Sequence, residues 1–331
     1  MIRSRILGVG RYLPERRVTN LDLAKMFDTS DEWIRQRTGI VERRFADEGV
    51  YCSDLALEAS REALKSAGMS AADLDFVIFA TLSPDHHFPG NGCYLQPKLG
   101  ISGIGCMDIR NQCSGFLYSL AVADAFVRIG MYRRILVVGA EVHSSGLSFT
   151  DEGRDVSVIF GDGAGAVIVG PSDDPARGIL TNHLHADGAF ADILRLEMFD
   201  ISRKPCLTHE MLDRGSLWPK MKGKEVFRVA VTRIPEVIDE ALKAVGLKVE
   251  DVDLFIPHQA NLRINQFAAA KLGVPEEKFY SNIQQYGNTT AASLPIALSE
   301  ALEQGLVKPG SLIMFVAFGA GFTWGASVIR W

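Results

Sequence analysis

Cysteine is scarce and scattered in this chain, with five in 331 residues, at positions 52, 93, 106, 113 and 206. An odd, widely spaced set with no Cys-x-x-Cys pair, and no histidine at zinc-ligand spacing, argues against both a disulfide framework and a structural metal. Long hydrophobic runs are missing too. None reaches the roughly 18–20 residues of a membrane span, and Met1-Ile2-Arg3-Ser4-Arg5-Ile6-Leu7-Gly8 is too brief for the apolar core of a signal peptide. There is no excess of positive charge: 35 Lys+Arg against 40 Asp+Glu leave a net −5. General nucleic-acid binding is therefore not expected, and a polyanionic partner would have to be met by a local basic patch. These absences predict a cytoplasmic protein with neither membrane nor nucleic acid as partner. What is present, 47% hydrophobic and 23% charged residues, is enough to bury one large core or two medium ones and excludes a disordered or fibrous chain.

The clearest organisational signal is an internal repeat. Glu62-Ala63-Leu64-Lys65, Gly68, Asp75 and the apolar Phe76-Val77-Ile78-Phe79 return at one constant offset as Glu240-Ala241-Leu242-Lys243, Gly246, Asp253 and Leu254-Phe255-Ile256. In the same register Ile135-Leu136-Val137-Val138 falls on Ile313-Met314-Phe315-Val316, and Leu120 on Leu298. A register held this long without insertion implies duplication. Each copy reads helix, buried strand, loop, helix, buried strand. In the first, Ser53 is expected to cap a helix ending at Gly68, followed by a strand from Phe76 to Ala80, a helix from about Ser114 to Ile129 and a strand from Ile135 to Val138. In the second, Pro235 is expected to kink or start the helix carrying Val231, Ile234, Ile238, Leu242 and Val245, and strands follow at Leu254–Ile256 and Leu312–Val316. Short apolar strands alternating with helices predict an α/β fold of mostly parallel sheets covered on both faces. Gly170-Pro171-Ser172-Asp173-Asp174-Pro175 is the expected link between a half spanning residues 1–172 and one spanning 173–331.

Gly161-Asp162-Gly163-Ala164-Gly165-Ala166 fits a relaxed dinucleotide-binding pattern, whose mechanism needs a strand before it and a helix after it. Here Val156–Phe160 and Ala166–Val169 both read as strands. Small residues in that context are expected to let backbones pack closely.

Three residues carry the chemistry. Cys113, in Asn111-Gln112-Cys113-Ser114-Gly115-Phe116, precedes the start of a helix, whose unpaired amides and positive end favour thiolate. His258, in Ile256-Pro257-His258-Gln259-Ala260-Asn261, follows a buried strand and is the repeat counterpart of Ala80, so one half ends its strand in histidine where the other has alanine. Asn288, in Tyr286-Gly287-Asn288-Thr289-Thr290, lies just before the helix whose repeat partner begins at Cys113. A lone Cys is commonly a buried structural residue, a lone His a satisfied core residue, and an Asn a cap. Their placement at corresponding ends of two repeats predicts one shared pocket. Cys106 is the next nucleophile candidate, and the absence of a Gly-x-Ser-x-Gly elbow disfavours a serine hydrolase.

Over essentially its whole length, from Asp31-Glu32-Trp33-Ile34-Arg35-Gln36-Arg37-Thr38-Gly39-Ile40 to Phe318-Gly319-Ala320-Gly321-Phe322-Thr323-Trp324-Gly325, the chain resembles the 3-oxoacyl-acyl-carrier-protein synthase III family of the thiolase superfamily. The Cys–Gly-Phe, Pro-His-Gln-Ala-Asn and Tyr-Gly-Asn-Thr motifs carry the resemblance. It implies a thiolase-like, internally duplicated, five-layered αβαβα fold and a homodimer. It also implies decarboxylative condensation of an acyl-CoA starter with malonyl-ACP (acyl carrier protein) to initiate fatty-acid synthesis, with no cofactor. Cys113 would carry the acyl group, His258 and Asn288 would stabilise the enolate, and the backbone amides of Cys113 and Ala320 would form the oxyanion hole. Trp33, Arg37 and Arg154 would bind coenzyme A, Phe88 would cross to the partner's acyl pocket, and Arg228, Arg263 and Lys271 would meet the acidic carrier protein. Two departures stand out. Ala270 replaces a basic residue common in that patch, and Thr81-Leu82-Ser83-Pro84-Asp85-His86-His87-Phe88 resembles loops of specialised relatives in quinolone, polyketide or acyl-transfer chemistry. A specialised condensing enzyme of the same fold is therefore the alternative, and a non-catalytic carrier-binding scaffold the rival of a different class.

Overall fold

In the computed structural model, which describes residues 2–331, two sheets enclose a pair of central helices. The first sheet contains β1 (Ser4–Tyr12), β2 (Phe76–Ala80), β3 (Gly105–Ile109), β4 (Ile135–Glu141) and β5 (Gly163–Pro171), in the order β1-β5-β4-β2-β3. The second contains β6 (Gly178–Ala186), β7 (Leu254–Pro257), β8 (Leu312–Gly319) and β9 (Thr323–Arg330), in the order β7-β8-β9-β6. The main helices are α1 (Asp31–Thr38), α2 (Cys52–Ala67), α3 (Asn91–Lys98), α4 (Gly115–Arg128), α5 (Gly223–Ala244), α6 (Leu262–Leu272) and α7 (Ser293–Glu303).

Strand periodicity builds the layers. Along β2 successive side chains point to opposite faces. Val77 and Phe79 pack with Leu55, Ala59 and Ala63 of α2, while Phe76 and Ile78 turn inward to Phe116, Leu117 and Leu120 of α4. The inner cluster continues through Leu294 and Leu298 of α7 to Ile256 and Phe315 of the second sheet, whose outer face meets Ile234 and Ile238 of α5 and Ile264 of α6. The result is the five-layered thiolase-like fold. Elements related by the repeat register coincide: β2 with β7, β4 with β8, and α4 with α7. The helix-ending glycines Gly68 and Gly246 also correspond, both with positive φ.

Four local expectations are corrected. The sheets are mixed: β2 pairs parallel with β3 and β4, and β7 with β8, but β1–β5, β4–β5, β8–β9 and β9–β6 are antiparallel. Only Ala320 to Phe322 separate β8 from β9, too few residues for a parallel crossover. Tyr51, not Ser53, is the N-cap of α2, its amide donating to Asp54 at 2.9 Å, while the Ser53 amide and hydroxyl both donate to Asp85. Pro235 lies inside a continuous α5. Val156–Phe160 is not a strand: Arg154–Ser157 form a helical turn, and Phe160 makes a single bridge to Asn288. The buried apolar residues there pack against Val18, Ile34 and Leu147, and a short apolar run alone cannot distinguish strand from helix. The glycine-rich motif runs into β5 rather than a helix, and a Cβ on Gly161 would sit 2.2 Å from the Tyr286 carbonyl oxygen. Close backbone approach is its use.

Candidate active site

Cys113 sits in a tight turn, Gln112–Ser114, wedged between β3 and α4. Gln112 adopts φ +42° there, and Thr290, its counterpart in the second repeat, adopts φ +49° in the equivalent turn before α7. Among the described residues these are the only non-glycine positions with positive φ. For a β-branched threonine that conformation is strained and persists only where neighbours over-determine it. The two turns occupy equivalent places in the two repeats.

The thiol of Cys113 is buried, and the end of β8 closes over it. A Cβ on Gly319 would lie 2.5 Å from Cys113 Cβ and 3.1 Å from its Sγ, so only glycine fits. Burial, reinforced by the negative charge of Glu141, pushes the thiol up to about 12, against the opposing backbone amides of Ala320 and Cys113 itself. The expectation of a favoured thiolate is thus corrected, because desolvation outweighs the helix end. The same two amides are the donors expected of the oxyanion hole.

His258 follows β7, where its backbone amide donates to the Val316 carbonyl at 2.8 Å. Its Nδ1 lies 2.6 Å from Ser293 Oγ, and the Gln259 amide reaches the same oxygen at 3.5 Å. With the Ser293 hydroxyl donating to Nδ1, the neutral ring carries its proton on Nε2; with Nδ1–H donating to Ser293, it does not. Nε2 is buried and has no partner among the described residues. Burial lowers the ring to about 3, so it is neutral at physiological pH. The Asn288 backbone is clamped by Ile159 and Gly161, at 2.8 and 3.1 Å. Its Oδ1 accepts from the Thr290 amide at 2.8 Å, which leaves the Nδ2 hydrogens to point elsewhere.

Cys113, His258 and Asn288 line one cavity of about 570 Å³, which also takes in Trp33, Arg37, Phe160, Arg263 and Gly319. At the α1 end of that cavity the guanidiniums of Arg37 and Arg154 lie 4.6 and 4.8 Å from the centre of the Trp33 ring, and Arg154 donates to the Asp28 carbonyl at 3.0 Å. Arg263 sits 5.8 Å over the Phe227 ring. Other predicted residues lie elsewhere. Phe88 is 80% exposed, Arg228 is exposed on α5, and Lys271 Nζ reaches the Val231 carbonyl at 3.4 Å. That carbonyl lacks its helical donor because Pro235 has no N–H. Cys106 faces Cys93, 3.7 Å between sulfurs, away from the cavity.

Two family models match the chain: one described as 3-oxoacyl-[acyl-carrier-protein (ACP)] synthase III over residues 107–188, and its C-terminal counterpart over residues 242–331. Beta-ketoacyl-[acyl-carrier-protein] synthase III of Caldanaerobacter subterraneus subsp. tengcongensis is 48% identical over all of this chain and 98% of its own length. The chain belongs to the 3-oxoacyl-[acyl-carrier-protein] synthase III family. The namesake of Alkalilimnicola ehrlichii is 46% identical over the whole of both chains. The crystal structure of the Aquifex aeolicus VF5 synthase III superposes with a TM-score of 0.91 at 44% identity, covering 99% of this chain and all of that one. Membership makes the chain an acyltransferase.

Sequence reasoning missed three residues that shape this site. Ser293 orients His258, but its repeat counterpart is Gly115 and gave no signal. Glu141 accepts from Ser83 Oγ at 2.6 Å, Thr81 Oγ1 at 3.1 Å and the amides of Leu82 and Ser83, tying down the start of the Thr81–Phe88 loop. Burial raises its carboxyl to about 7. His143 packs behind Phe160. It follows a buried strand just as His258 does, and that position was the available clue.

Proposed function

We propose that the chain condenses an acyl-CoA starter with malonyl-ACP through an acyl-Cys113 intermediate, giving 3-oxoacyl-ACP. The observation that carries this reading is the unpartnered Nε2 of His258 sharing a cavity with Asn288 and the buried thiol. In the first half-reaction Cys113 sulfur attacks the thioester carbonyl. The new carbon–sulfur bond replaces the one to coenzyme A, which leaves as a thiol carrying the proton that Cys113 gives up. Oxyanion charge falls between the Cys113 and Ala320 amides. In the second, the malonyl carbon–carboxylate bond breaks, carbon dioxide leaves, and the electron pair forms an enolate whose oxygen accepts from His258 Nε2–H and Asn288 Nδ2–H. The enolate carbon then attacks the acyl carbonyl, the thiolate departs, and a proton from solvent restores the thiol. No step calls on a metal or cofactor.

Trp33, with Arg37 and Arg154 stacked on it, supports a nucleotide-binding mouth, where an adenine would compete for the ring face. Arg263 at the cavity supports carrier-protein docking, with Arg228 on the adjoining helix. Lys271, engaged with Val231, would contribute less. The exposed Phe88 and the open edge of β3 support a homodimer in which Phe88 enters the partner's acyl pocket. First-sheet strands end at Pro171 and second-sheet strands begin at Gly178, which supports halves meeting near residue 172.

The test is incubation with a panel of acyl-CoA esters followed by malonyl-ACP, read by intact mass. An acyl adduct on the enzyme followed by 3-oxoacyl-ACP is expected, the starter being the ester that labels fastest. Adducts that persist with malonyl-ACP, or no adduct with any ester, would contradict the reading.

A further inference from the structure

We infer that His143 is a positioning residue for the decarboxylation step, holding Thr290 in its strained turn so that Asn288 presents its Nδ2 hydrogens to the enolate. This rests on the role proposed above for Asn288.

The chain of contacts is short and buried. His143 is 7% exposed, and its Nε2 lies 2.7 Å from Thr290 Oγ1. Thr290 is fully buried at φ +49°, a conformation that β-branched residues avoid unless held. The Thr290 amide in turn donates to Asn288 Oδ1 at 2.8 Å, the contact that fixes which end of the carboxamide faces the cavity. If Thr290 relaxes to negative φ, its amide turns and that acceptor is released. The second copy of the repeat therefore needs an external clamp, and His143 is the side chain that supplies one.

The ring is itself fixed. It lies 4.7 Å from the Phe160 ring, and Phe160 both lines the cavity and bridges to Asn288. The His143 amide is anchored on Asp162, whose carboxylate also accepts from Ser144 and Ala46. Burial, and the neighbouring His258, hold the ring neutral, with a pKa of about 3. It therefore hydrogen-bonds Thr290 without placing a charge beside the enolate.

The experiment compares His143→Leu, His143→Gln, Thr290→Val and Asn288→Ala in separate assays of self-acylation from acyl-CoA and of malonyl-ACP decarboxylation. Removing an oxyanion donor typically costs ~10²–10³ in rate, so losing only its orientation should cost about 10–10². His143→Leu and Thr290→Val should lower kcat for decarboxylation by that factor, with KM for malonyl-ACP and the self-acylation rate unchanged. His143→Gln, which keeps a hydrogen-bonding group toward Thr290, should recover most of the loss. The double variant His143→Leu/Thr290→Val should be no slower than either single, since both break one contact. If His143→Leu does not fold, the near-isosteric Thr290→Val carries the test from the other side of the bond. Slow decarboxylation by Asn288→Ala beside wild-type rates for His143→Leu and Thr290→Val would overturn this inference alone. A changed starter preference in His143→Leu, or equal losses in both assays, would also overturn it in favour of a pocket-lining or merely structural role. Wild-type decarboxylation by Asn288→Ala would instead remove the reading on which the inference stands.

Discussion

At the scale of single residues, the site is defined by what cannot fit and what does not titrate. Gly319 leaves no room for a side chain against Cys113. Gly319→Ala must push the thiol or β8 aside, and a misplacement of about 1 Å costs ~10² in rate. Self-acylation of Gly319→Ala, followed by intact mass, should slow at least that much, and a wild-type rate would show that the contact is not tight. His258 makes a different kind of prediction. Its pKa is lowered to about 3, so the ring stays neutral through the range where an ordinary histidine, near 6.5, would titrate, and the proposed Nε2–H donor would not change its charge there. Decarboxylation of malonyl-ACP by Cys113→Ala, which removes thiol titration from the readout, should be level from about pH 5 to 8. A step near pH 6.5 would contradict the neutral-donor role.

At the scale of elements, a proline inside a helix is matched by a lysine from the next. The Val231 carbonyl, left without its donor by Pro235, accepts from Lys271 of α6. A net contribution of about 0.5–1.5 kcal/mol is typical of such a bond. Lys271→Met should lose about that much by urea denaturation. In a Pro235→Ala background, where position 235 regains an N–H that can reach Val231, the loss should vanish. An undiminished loss there would assign Lys271 some other role. This pairing was not legible in the sequence, because residues 231 and 271 are joined only by the packing of two helices. The repeat was legible, since a constant offset in the sequence alone aligned β2 with β7 and α4 with α7. The paired strained turns were not, because neither glutamine nor threonine signals positive φ. Antiparallel pairing was also hidden, since buried strands read alike whichever way they run.

At the scale of the whole molecule, charge and burial set two further behaviours. On a chain of net charge −5, a docking patch for an acidic carrier protein is local, so its effect should be screened by salt. Arg263→Glu should raise KM for malonyl-ACP at low salt, with the difference from wild type shrinking at high salt and self-acylation from acyl-CoA retained. Equal losses in both half-reactions, with a lower Tm, would make Arg263 a structural residue. Stability should also fall in acid. His143 and His258 have folded pKa values of about 3 against an ordinary 6.5, so below about pH 6.5 the unfolded chain binds protons that the folded one refuses. Stability is lost progressively as pH drops from 6.5 towards 3. Glu141, raised from 4.5 to about 7, acts in the opposite sense, and its contribution is present below 4.5 and lost as pH rises through 7. His143→Leu should therefore reduce the slope of unfolding free energy against pH between about 4 and 6 by about 1.4 kcal/mol per pH unit. An unchanged slope would mean that the ring is protonated in the folded protein.

The fold brings the ends of two repeats to one cavity, and the proposed reaction divides labour between them: Cys113 from the first half would carry the acyl group, and His258 and Asn288 from the second would make the carbanion. Side-by-side measurement of the two half-reactions tests this division most directly. Cys113→Ala should take up no acyl group yet still decarboxylate malonyl-ACP. His258→Ala and Asn288→Ala should acylate at near wild-type rate and decarboxylate ~10²–10³ more slowly. Acylation of Cys113→Ala, or wild-type decarboxylation by both His258→Ala and Asn288→Ala, would contradict this division.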